Sequence, residues 1–151
     1  MSPEAALLAR ALLDGRTLAS VIGVPDASLE AARDLARWAA AIGEPQLALA
    51  VWDGCAALDD AAPSWLGLAE VALAAGEAGR AFEAAAQARD RAGITDRDRA
   101  ALVSARACLL GGRVAEARAW LHTISGDADN DVAQLARAIE ASLEARAVQA
   151  G

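Results

Sequence analysis

A glycine followed five residues later by an alanine recurs three times in this chain of 151 residues. The pairs are Gly43 and Ala48, Gly76 and Ala81, and Gly112 and Ala117, so their offsets are 33 and 36 residues. Each pair lies between stretches rich in Ala and Leu, which are strong helix formers. Glycine takes the left-handed conformation that ends a helix, and a small alanine lets the next helix pack closely. The pattern therefore predicts three repeated pairs of antiparallel helices.

The spacing is close to the period of the tetratricopeptide repeat, which is about 34 residues. With each glycine at position 15, the second unit carries Trp65, Leu68 and Ala69 where this repeat has an aromatic, a leucine and a small residue. Gly67 and Ala69 are small where two helices are expected to approach closely. We expect an all-α tetratricopeptide-repeat solenoid that forms a single domain over residues 1–151. Its parts are an N-terminal helical segment (3–25), three repeats (29–58, 62–92 and 98–126) and a capping helix (130–148).

Local signals predict the ends of several helices. Residues 3–14 are expected to form an amphipathic helix, followed by a short helix that ends near Gly23. Asp26 or Ser28 is expected to cap the first repeat, and Thr95 with Asp98 the third. The capping helix has an apolar stripe at helical spacing, formed by Val132, Leu135, Ala136, Ile139 and Leu143.

Composition excludes several functional classes. The formal net charge is −7, which disfavours binding to nucleic acid or to an acidic membrane surface, and no apolar run is long enough to insert into a membrane. The N-terminus has no cleavable signal pattern, so a cytoplasmic protein is expected. Cys55 and Cys108 lie inside helical patterns without metal-ligand spacing, and we expect both to be reduced and buried.

The chain offers little chemistry for catalysis. His122 is its one histidine and has no Cys or carboxylate at ligand spacing, and neither Ser64 nor Ser104 has a base nearby in sequence. The glycines do not form a phosphate-binding loop. Four tryptophans could stack on bases or sugars, but at repeat positions they are expected to be core residues: Trp38, Trp52, Trp65 and Trp120. We predict no enzyme, no cofactor and no metal site.

A stack of helical pairs offers a concave groove lined by the first helix of each pair. Repeat register predicts a peptide-binding groove that includes Arg33, Arg37, Ala40, Leu66, Glu70, Leu73, Arg99, Leu102, Arg106 and Leu109. Apolar pockets beside guanidinium groups suit an extended peptide that carries carboxylates or exposed carbonyls. The alternative is that Arg33 and Arg37 only pair with Glu30 or Asp34 on a solvated helix face.

Three short motifs resemble one family. They are Gly-Arg-Thr-Leu at 15–18, Leu-Gly-Leu-Ala at 66–69 and Cys-Leu-Leu at 108–110. In order and spacing, residues 10–125 are similar to the class II chaperones of bacterial type III secretion, the LcrH/SycD group. The resemblance implies a cytoplasmic chaperone without ATPase activity that binds an extended segment of a hydrophobic translocator in the groove. It also implies self-association, as a homodimer, through residues 3–22.

One departure from the family concerns the groove, and two other functional classes stay open. Family members commonly have aromatic residues on the groove face of the first repeat, where this chain has Arg33, Arg37 and Ala40. A tetratricopeptide adaptor that scaffolds a bacterial cytosolic complex would use the same groove. A subunit of a larger enzyme would need a catalytic partner chain.

Overall fold

The computed structural model describes residues 3, 14, 16–128 and 130–151. This part of the chain is helical and contains no β-strand, which confirms the all-α prediction. Its helices are α1 Leu18–Ile22, α2 Asp26–Ala41, α3 Pro45–Asp59, α4 Ala62–Ala74, α5 Ala78–Arg91, α6 Ile94–Leu110, α7 Val114–His122 and α8 Asn130–Ala150.

The three repeat glycines end α2, α4 and α6. Gly43, Gly76 and Gly112 have φ angles of 81°, 79° and 75°, the left-handed conformation that glycine adopts without steric cost. After each glycine, the next backbone N–H donates to a carbonyl five residues back, at 2.9 Å from Glu44 to Ala39 and at 2.8 Å from Arg113 to Cys108. These are the hydrogen bonds of a Schellman cap. Three equivalent turns therefore set the chain into three antiparallel helix pairs.

Consecutive helices pack on one another to form a solenoid. The alanine that follows each repeat glycine is fully buried, as its place at a helix–helix contact predicts: Ala48, Ala81 and Ala117. The first helix of a pair also contacts the first helix of the next, as α4 contacts α6. A core of leucines, Trp52 and many alanines runs through the first two pairs into α6. Small side chains let these helices approach closely over a long contact.

The capping helix α8 closes the far end of the solenoid. It packs against α6 and α7, and a second core contains Leu102, Leu121, Val132, Ala136 and Leu143. Ile139 is half-buried, whereas Leu135 is 41% exposed, so its place in the predicted buried stripe is wrong. Helix rotation explains the difference, because Leu135 lies about 100° from Ala136 around the helix and thus beside the buried stripe.

Other local predictions are partly confirmed. The short helix α1 ends at Gly23, and the Thr17 hydroxyl caps its start by accepting a hydrogen bond from the Ser20 N–H at 3.1 Å. The helix predicted over 3–14 lies outside the described residues except at its two ends. Trp38 is 55% exposed, so its assignment to the core is wrong: it lies on the outer face of α2.

The predicted N-caps of the first and third repeats are wrong. Helix α2 begins at Asp26 itself, after Pro25, which has no side-chain cap to offer. Helix α6 begins at Ile94 after Gly93, so Thr95 is its second residue and not its N-cap. The Asp98 side chain instead accepts a hydrogen bond from the Ser125 backbone at 3.1 Å, which ties the loop after α7 to α6.

Candidate functional site

A groove of about 800 Å³ runs along α2, α4 and the start of α6, with α3 forming part of its floor. Five of the ten predicted groove residues line it: Arg37, Ala40, Leu66, Glu70 and Arg99. Pro63 and Ala74, which occupy groove positions of the same repeat register, line it too. The structure therefore brings together residues from three successive repeats, as the register predicts.

The floor of this groove depends on the contact between Trp52 and Gly67. Trp52 lies on α3 and is only 4% exposed, and both residues border the groove. A Cβ atom at Gly67 would lie 2.5–2.6 Å from three atoms of the indole ring, which is closer than such atoms can approach. The close helix approach predicted at Gly67 is thus confirmed, and its partner is the Trp52 ring.

The rim of the groove carries charges that are already paired. The Arg37 guanidinium lies 2.5 Å from the Asp34 carboxylate, and Arg99 on α6 lies 3.3 Å from Glu70 on α4. The Arg37 guanidinium carbon is also 5.8 Å from the centroid of the Trp52 ring, within reach of a cation–π interaction. Arg37 therefore fits both readings of the sequence, because it pairs with Asp34 and also lines the groove.

Arg33 has a different environment. Its guanidinium lies 2.5 Å from Asp59 and donates to the Ser64 hydroxyl at 3.2 Å, and it also contacts Glu30. The Ser64 hydroxyl in turn donates to Asp59 at 2.8 Å. Burial lowers the pKa of Arg33, but the hydrogen bond and the charge of Asp59 outweigh it and raise this pKa above its usual value. Arg33 thus links α2, α3 and α4 and does not line the groove.

The other four predicted groove residues also lie elsewhere. Leu73 packs against the first core, and Leu102 is buried in the second. Arg106 is exposed on α6, and Leu109 borders a separate cavity beside α8. Beyond Arg99, the third repeat thus contributes only Asp96 to the groove in the described part of the chain.

The sequence does not assign six of the lining residues to the groove: Gly43, Pro45, Trp52, Gly67, Val71 and Asp96. Gly43 lies in the turn between α2 and α3, and Pro45 is the first residue of α3, so the repeat register assigns neither to the groove-lining first helix. Trp52 is predicted as a core residue, and its large ring at a helix–helix contact is a signal that could have placed it at the floor. Asp96 precedes the predicted start of the third repeat, because α6 begins earlier than expected.

The two thiols and the histidine lie outside this groove. Cys55 and Cys108 are free and buried, as predicted. Burial raises the pKa of both thiols, and the nearby Asp59 carboxylate raises that of Cys55 further. His122 is exposed, with Nε2 3.8 Å from a Glu140 oxygen. In the described residues, no three His, Cys, Asp or Glu side chains group closely enough to hold a metal ion.

The hydropathy of the helices bears on membrane insertion. Among the helices that the structure describes, none combines the length and apolar character that a membrane span requires.

Comparison with solved structures identifies the fold. A type III secretion complex from Aeromonas hydrophila includes a chain with a TM-score of 0.81 and 22% identity, and the match covers 95% of this chain and 97% of that one. The type III secretion translocator chaperone SycD of Yersinia enterocolitica matches with a TM-score of 0.74, 22% identity, and 86% and 98% coverage. An alternative dimer of SycD matches with a TM-score of 0.72, 21% identity, and 83% and 96% coverage.

Sequence comparison adds nothing to this result. No protein-family model matches the chain, and no curated protein sequence matches it either. The likeness therefore lies in the path of the backbone, over nearly the full length of each matched structure. The chain has the helical-repeat fold of the type III secretion translocator chaperone SycD.

Proposed function

We propose that this chain is a bacterial type III secretion chaperone that works in the cytoplasm. It binds an extended segment of a hydrophobic translocator or other secreted protein in the groove and keeps that client soluble before export. The observation that carries the proposal is the groove itself, which spans three repeats of a translocator-chaperone fold and is lined by Arg37, Ala40, Leu66, Glu70 and Arg99.

The chemistry of the groove suits an extended peptide. Leu66, Val71 and Trp52 provide an apolar floor for small side chains of the client. Arg37 and Arg99 provide guanidinium donors at the rim for client carboxylates or backbone carbonyls. An extended segment presents side chains alternately to the floor and to solvent, while its backbone polar groups remain available to the rim.

Reversal of the charges at the rim tests whether the client binds in the groove. The tagged chain is purified from its native host under secretion-permissive growth, and the co-purifying proteins are identified by mass spectrometry. We expect a secreted, membrane-active protein to co-purify with the unaltered chain, and its yield to fall at least about tenfold with Arg37→Glu/Arg99→Glu. The matched control is Arg97→Glu/Arg137→Glu, which changes the net charge equally at exposed positions outside the groove.

As a control, circular dichroism of both double variants should show the helicity of the parent chain. An equal yield of the client with the groove variant and with the control would refute the groove assignment. Recovery of stable cytosolic proteins in place of a secreted one would instead favour a tetratricopeptide adaptor.

Self-association belongs to the same proposal. We expect a homodimer through residues 3–22, and sedimentation of the chain with and without residues 1–15 tests it. An unchanged number of subunits after the deletion would place any self-association elsewhere.

A further inference from the structure

A second cavity lies at the far end of the solenoid, away from the groove. It has a volume of about 540 Å³ and lies between the C-terminal end of α6, the start of α7 and the second half of α8. We call it the terminal notch. Its apolar walls are formed by Leu109, Val114, Ile139 and Leu143. Val114 is 44% exposed, so part of this apolar surface faces solvent.

The terminal notch carries positive charge. Arg118 and Arg146 line it, no acidic residue does, and neither guanidinium lies within 4.0 Å of a carboxylate of the described residues. The polar contact of Arg118 is a hydrogen bond to the Leu143 carbonyl at 3.4 Å. The groove differs, because its Arg37 and Arg99 are each paired with a carboxylate. Two such guanidiniums on a chain with 21 acidic and 14 basic residues favour an acidic partner.

The geometry of the solenoid indicates the shape of that partner. Helix α6 packs on both α4 and α5, and α8 makes a smaller contact with both α6 and α7. The seam between α7 and the second half of α8 is where a further helix of the solenoid would pack. The terminal notch is the part of this seam that no described helix covers.

We propose that the terminal notch binds an amphipathic helix of a partner protein, with apolar side chains on one face and Asp or Glu beside it. The apolar face packs against Val114 and Ile139, and the acidic side chains pair with Arg118 and Arg146. This site is separate from the groove and can be occupied together with it.

The test uses two synthetic peptides of about 18 residues, which is about five helical turns. Both have Leu at positions i, i+3, i+4 and i+7, and they differ only in carrying Glu or Arg beside this face. Each is labelled with fluorescein and titrated with the full chain, and binding is followed by fluorescence anisotropy at low and high salt. We expect the Glu peptide to bind at least about tenfold more tightly than the Arg peptide, and less tightly at high salt.

Three variants locate the binding site. Arg118→Glu/Arg146→Glu should weaken the Glu peptide at least about tenfold. Arg137→Glu should leave its affinity unchanged, because Arg137 is nine residues from Arg146 and thus on the opposite face of α8. The groove variant Arg37→Glu/Arg99→Glu should also leave it unchanged, which separates this site from the proposed function.

As a control, circular dichroism of each variant should show the helicity of the parent chain. Three outcomes would overturn the proposal: no binding of the Glu peptide, equal binding of the two peptides, or undiminished binding to the Arg118→Glu/Arg146→Glu variant.

Discussion

Gly67 shows how one missing side chain shapes the groove. The Trp52 ring lies where a Cβ atom of residue 67 would be, so it can pack flat against the backbone of α4. Trp52 thereby fills the contact between the first two helix pairs while one edge of it borders the groove. The floor of the groove and the stability of the solenoid thus depend on the same pair of residues.

Substitution at Gly67 tests this contact. Gly67→Ala should lower the free energy of unfolding by about 1–3 kcal/mol, because the added methyl group overlaps the buried indole ring. Gly54→Ala is the matched control, since Gly54 also lies inside a helix but has no atom within 4 Å of the added methyl group. It should raise the free energy of unfolding by about 0.5–1 kcal/mol through helix propensity. Urea unfolding measures both, and a stabilised Gly67→Ala variant would show that Trp52 does not pack there.

At the scale of helices, the Arg33 cluster joins two repeats. Arg33 on α2, Asp59 at the end of α3 and Ser64 in α4 form a closed set of hydrogen bonds across both connections. Asp59 also accepts a hydrogen bond from the Ala61 backbone at 3.0 Å, which shapes the turn into α4. The side chains of Arg33 and Asp59 are only 14% and 9% exposed, so removing either leaves its partner poorly solvated.

Removal of one charge tests the cluster. Arg33→Met keeps much of the apolar stem but leaves the Asp59 carboxylate without its cation. We expect a loss of about 2–4 kcal/mol in the free energy of unfolding. Arg37→Met serves as the control, because the Arg37–Asp34 pair is largely exposed, and it should cost less than about 1 kcal/mol. Equal losses in urea unfolding would mean that the cluster adds nothing beyond a surface ion pair.

The sequence predicted helices and turns better than it predicted the groove. A left-handed glycine is a local requirement, so Gly43, Gly76 and Gly112 could be recognised from spacing alone. The side that Arg33 faces depends on Asp59, which is 26 residues away and belongs to another helix. No periodicity within α2 carries that information. Pattern reasoning therefore placed Arg33 and Arg37 together, whereas a long-range partner separates them.

At the scale of the whole molecule, the composition makes the two cysteine thiols the main groups through which alkaline pH can change stability. The chain has no Lys and no Tyr, so few other groups of the chain change charge at moderately alkaline pH. Burial raises the pKa of both thiols above the usual 9.0, and the folded state therefore holds their protons longer than the unfolded state. This contribution to stability is complete below about pH 9 and is lost as the pH rises above it.

A pH series tests this expectation. The free energy of unfolding should fall above about pH 9, by up to about 1.4 kcal/mol per pH unit for each thiol. The Cys55→Ala/Cys108→Ala variant should lose most of this slope. Urea unfolding at closely spaced pH values measures both proteins. Parallel curves for the two would show that the thiols titrate alike in the folded and unfolded chains.

The paired charges at the rim of the groove bear on how a client would be released. A client carboxylate that binds Arg99 competes with Glu70, and one that binds Arg37 competes with Asp34. Loading is then an exchange of one ion pair for another, so it gains little net electrostatic energy and frees few counterions. Removal of the client restores the internal pairs and leaves no bare charge behind. Such a rim lowers the electrostatic cost of releasing a client, because each arginine regains a carboxylate partner.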